Sequence, residues 1–317
     1  MTLEDLGEFG IIDKIRSRFE APPGVTGIGD DCAVLPQKEG LDTLVSTDML
    51  VEGTHFLASD VDERDLGWKS AAVNFSDIAA CGGRPTGSYL SLALPPSTSE
   101  EWIDAFMDGY REMSLQAGAP LLGGDTTSSP DRICINVTVL GEVPSGRAKL
   151  RSAALPGDLV CVTGPLGDSA AGLKLILGGL PREEYLIGRH YRPVPRIAEG
   201  QILAERAGVH AMMDISDGVA SDLRHILDAS GVGAVIDTRS LPMSEEMIRV
   251  CSRYGWDPVR LALCGGEDYE LLFTASPDAA DSLGIPFFTI GRITGEKGLV
   301  WLPEESSYMG YRHFESR

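Results

Sequence analysis

Two mixed α/β domains in tandem are the architecture this 317-residue chain predicts, on three observations. Its length corresponds to about two domains of ordinary size. Short apolar runs of strand character alternate with runs of helical period in both halves, which favours two α/β domains over one barrel. A break falls near Pro144-Ser145-Gly146, giving an N-terminal domain of residues 1–145 and a C-terminal domain of residues 146–317.

In the first half, Leu6, Phe9, Ile12, Ile15 and Phe19 recur at helical spacing and predict an amphipathic helix over residues 5–19. Strands are expected around 31–35 and 43–48. The run 63–81 follows Asp62 and stops at Gly82-Gly83, the pattern of a helix with glycine at its C-terminus. Residues 87–94 read as a strand and 100–117 as a helix. On that helix Trp102, Phe106, Tyr110 and Met113 form one stripe, which by pattern reads first as core. Leu121-Leu122 reads as a short strand leading into a turn at Gly123-Gly124-Asp125, where glycines would let backbone amides approach a phosphate. Apolar and polar residues alternate over 133–140, as in a half-buried strand.

The second half opens with a strand over 158–164 and a helix over 170–177, followed by a helix over 195–207. Met212-Met213 then runs into Asp214-Ile215-Ser216-Asp217-Gly218 before a helix from Ala220. That acidic turn is not an EF-hand loop, because the twelfth position holds His225 instead of an acid. Strands are expected over 234–237, 269–274, 287–293 and 299–302. Between them, Gly265-Gly266-Glu267 repeats the glycine-glycine-acid order of residues 123–125.

A net charge of −20 disfavours nucleic acid as a partner, since a phosphate backbone needs a basic footprint. It would also repel a nucleoside triphosphate unless metal ions intervene, although surface acidity serves solubility equally well. The six cysteines are scattered with no Cys-x-x-Cys pair, so neither a zinc ribbon nor a disulfide framework fits. No apolar run approaches the ~20 residues that span a bilayer. The start Met1-Thr2-Leu3-Glu4-Asp5 lacks the basic-then-apolar pattern of a signal peptide, so no membrane association and a cytoplasmic location are expected.

What chemistry the chain carries lies in its aspartates. Asp30 and Asp31 are adjacent and point to opposite faces of an extended backbone, so one of them is expected at a shared site, and Asp30 is preferred. Ser46, Thr47 and Asp48 offer hydroxyl and carboxylate oxygens in a row, and Asp77 sits near a helix C-terminus, where the macrodipole opposes its charge unless something positive is near. With Asp125, Asp214 and Asp217 these residues lie at element ends, and magnesium prefers such hard oxygen ligands. Each stretch alone reads equally well as an ordinary polar turn. No Gly-Lys pair exists, so there is no Walker A loop; Cys32 stands where a dinucleotide fingerprint needs its third glycine; protein-kinase signatures are missing.

Taken together, Gly27-Ile28-Gly29-Asp30-Asp31, Ser46-Thr47-Asp48, Glu52-Gly53-Thr54-His55-Phe56, Asn74-Phe75-Ser76-Asp77, Gly123-Gly124-Asp125-Thr126, Asp214-Ile215-Ser216-Asp217-Gly218 and Gly266-Glu267-Asp268-Tyr269-Glu270 resemble the thiamine-monophosphate kinase family. The motifs occur in the family's order and cover almost the whole chain. The resemblance implies ATP-dependent phosphorylation of thiamine monophosphate to thiamine diphosphate, the last step of thiamine diphosphate biosynthesis. It also implies the fold of aminoimidazole ribonucleotide synthetase (PurM-like), in which the N-terminal sheets of a homodimer form a barrel and a C-terminal α/β domain covers the site. On that basis residues 1–145 would bind ATP and magnesium and dimerise. The alternatives are another ATP-using enzyme of this fold, such as a selenophosphate synthetase, or a non-catalytic nucleotide-binding regulator. A selenophosphate synthetase would carry a reactive Cys or selenocysteine followed by Gly-Lys, which this chain lacks. The hydrogenase-maturation relative would end in a functional Cys, whereas this sequence ends Glu315-Ser316-Arg317.

Residue by residue, the resemblance implies magnesium ligands at Asp30, Ser46, Thr47, Asp48, Asp77, Asp125, Asp214 and Asp217. It implies ATP contacts at Tyr110, Gly124, Asp125, Arg151 and Ser216, and contacts to the thiamine phosphate at His55, Glu267 and Tyr311. Several Mg²⁺ ions and ATP are the implied cofactor and co-substrate. The acceptor already presents an anionic phosphate oxygen, so no general base is expected among the side chains.

Overall fold

A computed structural model of the chain describes residues 24, 26, 30–36, 40–303 and 308–311; the helix expected over 5–19 lies outside them. After β1 (Ala33–Pro36) and β2 (Leu41–Val51) the chain enters α1 (Glu63–Ala80). Asp62 caps α1 by accepting the Arg64 N–H, and Gly82 at φ 73° follows its end, as the sequence predicted. β3 (Arg84–Leu94) leads to α2 (Glu100–Ala117), which Ser99 caps and left-handed Gly118 ends. β4 (Leu121–Ser128) and β5 (Cys134–Pro144) complete the first sheet, in the order β1-β2-β5-β3-β4. All its pairings are antiparallel except β3 with β4, so the sheet is mixed.

The expected turn at Gly123-Gly124-Asp125 is instead part of β4, the edge strand, and all eight residues of β4 are exposed. Gly124 is required by packing: a Cβ there would lie 1.7 Å from the Leu90 carbonyl oxygen. One face of this sheet packs on α1 and α2 through Leu44, Leu50, Ile135, Val137 and Leu92. The other face leaves Met49 and Tyr89 exposed.

The second half runs β6 (Leu159–Val162), α3 (Asp168–Leu177), α4 (Glu184–Tyr191), α5 (Ile197–Glu205), β7 (Val209–Asp214), α6 (Val219–Ser230) and β8 (Gly233–Asp237). It continues with α7 (Glu245–Tyr254), α8 (Pro258–Cys264), β9 (Leu271–Ala275), α9 (Pro277–Ala280), β10 (Phe288–Thr294) and β11 (Gly298–Leu302). Its sheet has the order β11-β8-β10-β6-β9-β7 and is mixed, parallel only between β11 and β8. Helices α4, α7, α8 and α9 had no counterpart in the sequence reading. Near β6 and β9 both faces of this sheet are buried. Val160, Val162 and Leu272 pack with Val219 and Leu223 of α6, while Cys161, Leu271 and Phe273 pack with Ala79, Ala80 and Leu203.

α1 therefore lies between the two sheets, which is why it is buried nearly all round and carries four alanines and one glycine. A Cβ on Gly67 would fall 1.9 Å from the Phe106 carbonyl, and one on Gly109 would fall 1.7 Å from that of Arg64, so α1 and α2 touch backbone to backbone. The link from α4 to α5 straps the halves together. Arg192 lies over the Trp68 ring at 4.1 Å and pairs with Asp65 and Glu112, and the Trp68 Nε1–H donates to the Pro193 carbonyl at 2.7 Å. No helix among the described residues is long and apolar enough to cross a membrane.

Candidate active site

The junction between the two halves opens a cleft of about 1880 Å³. On its floor three carboxylates from three elements converge: Asp31 ahead of β1, Asp77 in the last turn of α1 and Asp214 at the end of β7. Each offers an oxygen within 4.8 Å of the others. The Ser46 hydroxyl donates to Asp77 Oδ2 at 2.5 Å and the Ser76 hydroxyl donates to Asp214 Oδ2 at 2.6 Å. Among the described residues the trio's single cationic hydrogen-bond partner is Arg151, whose guanidinium reaches Asp31 Oδ1 at 2.7 Å. The Arg151 backbone N–H donates to Asp30 Oδ1 at 2.8 Å.

Crowding like charges in a buried place disfavours ionisation. Burial first, then Asp48, Asp214 and Asp31, push the Asp77 carboxyl well above the usual carboxylate range, against the Ser46 hydrogen bond. Burial and Asp31 push Asp214 up to about 7. Arg151 is shifted the other way: burial opposes its charge, but Asp31 and the neighbouring carboxylates more than compensate and raise its pKa. A hard-oxygen cluster with one arginine against it is short of positive charge, which is the donor set a divalent cation satisfies.

Asp30, Ser46, Thr47, Asp48, Asp217 and Ser216 line the same cleft. Asp48 is held by its backbone N–H, which donates to Asn74 Oδ1 on α1 at 3.0 Å. The loop after β7 is shaped by Asp222 of α6, whose buried carboxylate accepts the N–H groups of Asp217 and Gly218. His55, Glu267 and Tyr311 line the same cleft, Glu267 and Tyr311 beside the loop after β7. The His55 Nδ1 accepts the Val51 N–H at 2.9 Å, and the Tyr311 N–H donates to the Asp217 carbonyl at 3.0 Å. Glu267 pairs with Lys69 at 2.8 Å, and its other oxygen lies 3.3 Å from His190 Nδ1. Burial opposes ionisation of Glu267, but Lys69, His190 and His55 outweigh it and hold its pKa below the usual value.

Three expected site residues lie elsewhere. Tyr110 is fully buried in the first core, its hydroxyl donating to Ser88 Oγ at 2.9 Å, because the stripe on α2 faces the sheet. Gly124 and Asp125 sit on the edge strand. Asp48 pairs with Val137, Val137 with Leu90 and Leu90 with Gly124, so Asp125 is three strands away, roughly 14 Å, with its side chain on the opposite face. The preference for Asp30 over Asp31 also shifts: both line the cleft, but Asp31 joins Asp77 and Asp214 while Asp30 holds the Arg151 backbone. Sequence reasoning overlooked Lys69, His190 and Asp222. Lys69 alone left a trace, as a lone cation inside the otherwise uncharged run Gly67-Trp68-Lys69-Ser70-Ala71.

Comparison with known proteins places this geometry. Residues 29–143 match the family model of the AIR synthase related protein N-terminal domain, and residues 156–301 match that of its C-terminal domain. The thiamine-monophosphate kinase of Salmonella typhimurium is 43% identical over 332 residues, covering 97% of this chain and 98% of that protein. That of Bacillus subtilis is 37% identical, covering 98% and 100%. The solved structure of AaThiL complexed with AMPPCP and TMP superposes with a TM-score of 0.91 at 36% identity, covering 99% of both chains.

Proposed function

Because the chain belongs to the thiamine-monophosphate kinase family of AIR synthase related proteins, we propose that it phosphorylates thiamine monophosphate to thiamine diphosphate at the expense of ATP. The observation that carries this reading is the under-neutralised trio Asp31, Asp77 and Asp214 facing a cleft large enough for two substrates. The roles follow from position. Asp31, Asp77 and Asp214, with Asp30, Ser46, Thr47, Asp48 and Asp217 around them, are the residues that would hold magnesium. When bound, magnesium neutralises phosphate oxygens and so lets two polyanions approach.

The protein's own groups do the rest. Arg151 adds fixed positive charge and, with Ser216, faces the nucleotide end, and its pairing with Asp31 keeps the guanidinium from rotating away. His55, Glu267 and Tyr311 hold the vitamin end, so the acceptor phosphate is presented toward the trio. The acceptor oxygen is already anionic, so alignment and charge cancellation supply the acceleration and no side chain need remove a proton. Transfer is direct and in line, without a phospho-enzyme.

Residues 1–145 form the nucleotide and dimerisation unit and residues 146–317 the covering unit, in a cytoplasmic homodimer. The open face of the first sheet, with Met49 and Tyr89 exposed, is the surface a barrel between two copies would cover. Such a barrel also offers Gly124 and Asp125 a cleft that they do not reach within one chain. The test is release of ADP from ATP and Mg²⁺ that requires thiamine monophosphate. ADP release indifferent to thiamine monophosphate would refute the reading, and radiolabelled phosphate retained on the protein and chased onto product would refute direct transfer.

A further inference from the structure

Glu267 and Tyr269 are the two non-glycine residues with positive φ among those described, at +64° and +50°, and they belong to one turn. Bulky residues persist in the left-handed region only where the surroundings over-determine them. Here they do. The Glu267 N–H donates to the Ser216 carbonyl at 2.8 Å and the Tyr269 N–H to that of Ile215 at 3.0 Å. The preceding Gly266 packs so closely that a Cβ would lie 2.2 Å from the Ser216 oxygen. Each acid of the turn is then tied to a different element. Glu270 accepts from Arg189 and Arg196, Asp268 accepts the Gly167 N–H at the start of α3 at 2.7 Å, and Glu267 reaches Lys69 on α1.

Lys69 is the link that crosses between the halves. Its side chain is 1% exposed, and among the described residues Glu267, at 2.8 Å, is the one ion-pair partner of its ammonium nitrogen. A buried ammonium with a single partner is costly to retain unless that partner's placement matters. The nitrogen is covered by protein, whereas Glu267, 26% exposed, lines the cleft. We propose that Lys69 is a positioning residue for recognition of the acceptor, acting from α1 to fix the Glu267 carboxylate in the cleft wall. The inference rests on the reading that Glu267 contacts the thiamine moiety, and it makes the acceptor end of the cleft a joint product of both halves.

The test is a double-mutant cycle on the full-length protein with Lys69→Met, Glu267→Gln and the pair, measured as steady-state ADP release with each substrate varied. Lys69→Met is expected to raise KM for thiamine monophosphate by at least about tenfold, the loss of one oriented charged contact, while KM for ATP stays within about twofold. The double variant should bind the acceptor no worse than Glu267→Gln alone, because the lysine acts through the glutamate. If Lys69→Met does not fold, the double variant, which leaves no buried charge unpaired, still gives this second comparison. An effect on KM for ATP, an effect on kcat alone, no effect, or additive losses would each overturn the inference. A wild type inactive toward thiamine monophosphate would remove the proposed function and this inference together, whereas an active wild type beside an indifferent Lys69→Met variant removes the inference alone.

Discussion

Asp31, Asp77 and Asp214 in the cleft, and Glu267 and Glu270 of the turn beside it, are two acidic groups held mostly within the protein, yet they are neutralised in opposite ways. Glu270 has Arg189, Arg196 and the Thr163 hydroxyl; Glu267 has Lys69, with the uncharged His190 ring beside it. The trio has one arginine, spent on Asp31, and two serine hydroxyls. The first arrangement is complete within the protein and makes a rigid wall. The second is left incomplete, and carboxylates held together without enough positive charge destabilise the fold unless something external supplies it. The difference separates scaffold from binding site more clearly than the count of acidic residues does.

The sharpest way to break this comparison is to remove one acid from each side. Asp77→Asn should lower kcat by about a thousandfold or more, the scale of losing a group that acts only in the transition state. It should leave the melting temperature of the metal-free protein unchanged or higher, since a repelling charge is gone. Glu270→Gln should instead cost about 3–5 kcal/mol of stability, the scale of breaking a buried ion pair, because two arginines lose their partner. The two variants compared by calorimetry and turnover give the answer; a melting temperature that falls as far for Asp77→Asn as for Glu270→Gln would end the distinction.

Metal addition sharpens it next. The folded-state pKa of Asp77 and Asp214 is raised, so between about pH 4 and 7 the folded protein holds protons that the unfolded chain has released. Their contribution to metal-free stability therefore falls as pH rises through that window. Magnesium needs the ionised carboxylates, so its stabilising effect should grow from pH 6 to pH 8. At a concentration a hundred times its Kd the gain is about 2.7 kcal/mol, and Asp77→Asn should reduce it. Thermal melts with and without Mg²⁺ at the two pH values measure this, and a gain independent of pH would count against the trio as the site.

A smaller effect of opposite sign belongs to the scaffold side. Burial, and then the charge of Lys69, lower the His190 pKa from 6.5 to about 3. The unfolded chain gains a proton below pH 6.5 that the folded protein refuses, so this group removes stability as pH falls from 6.5 towards 3, by about 1.4 kcal/mol per pH unit once well inside the window. In His190→Asn that slope should flatten by about one proton in urea titrations between pH 5 and 6; an unchanged slope would mean that His190 titrates normally.

Local signals made much of this fold legible. The helices at 63–80 and 100–117 were readable nearly to the residue, because Asp62 and Ser99 cap their starts and Gly82 and Gly118 follow their ends. Helix 245–254 was missed although Ser244 caps it and Met247, Val250, Cys251 and Tyr254 recur at helical spacing, whereas 184–191 and 258–264 are barely two turns long. The two glycine-glycine-acid stretches had the same local meaning and different fates. Gly124 is pressed against Leu90 inside a strand, whereas Gly266 is pressed against Ser216 beneath a strained turn.

The sequence by itself determined the alternation of strands and helices, the break between halves, and a set of oxygen-bearing side chains at element ends, since capping, periodicity and turn chemistry act over a few residues. Tertiary structure alone decided that Asp31 joins Asp77 and Asp214, that Tyr110 belongs to the core, that Asp125 stands apart and that Lys69 reaches Glu267. Those meetings join residues 46 to 198 positions apart in the chain, as Asp77 is to Asp31 and Glu267 to Lys69. They depend on the close crossing of α1 with α2 and on α1 lying between two sheets, which no short stretch of sequence encodes.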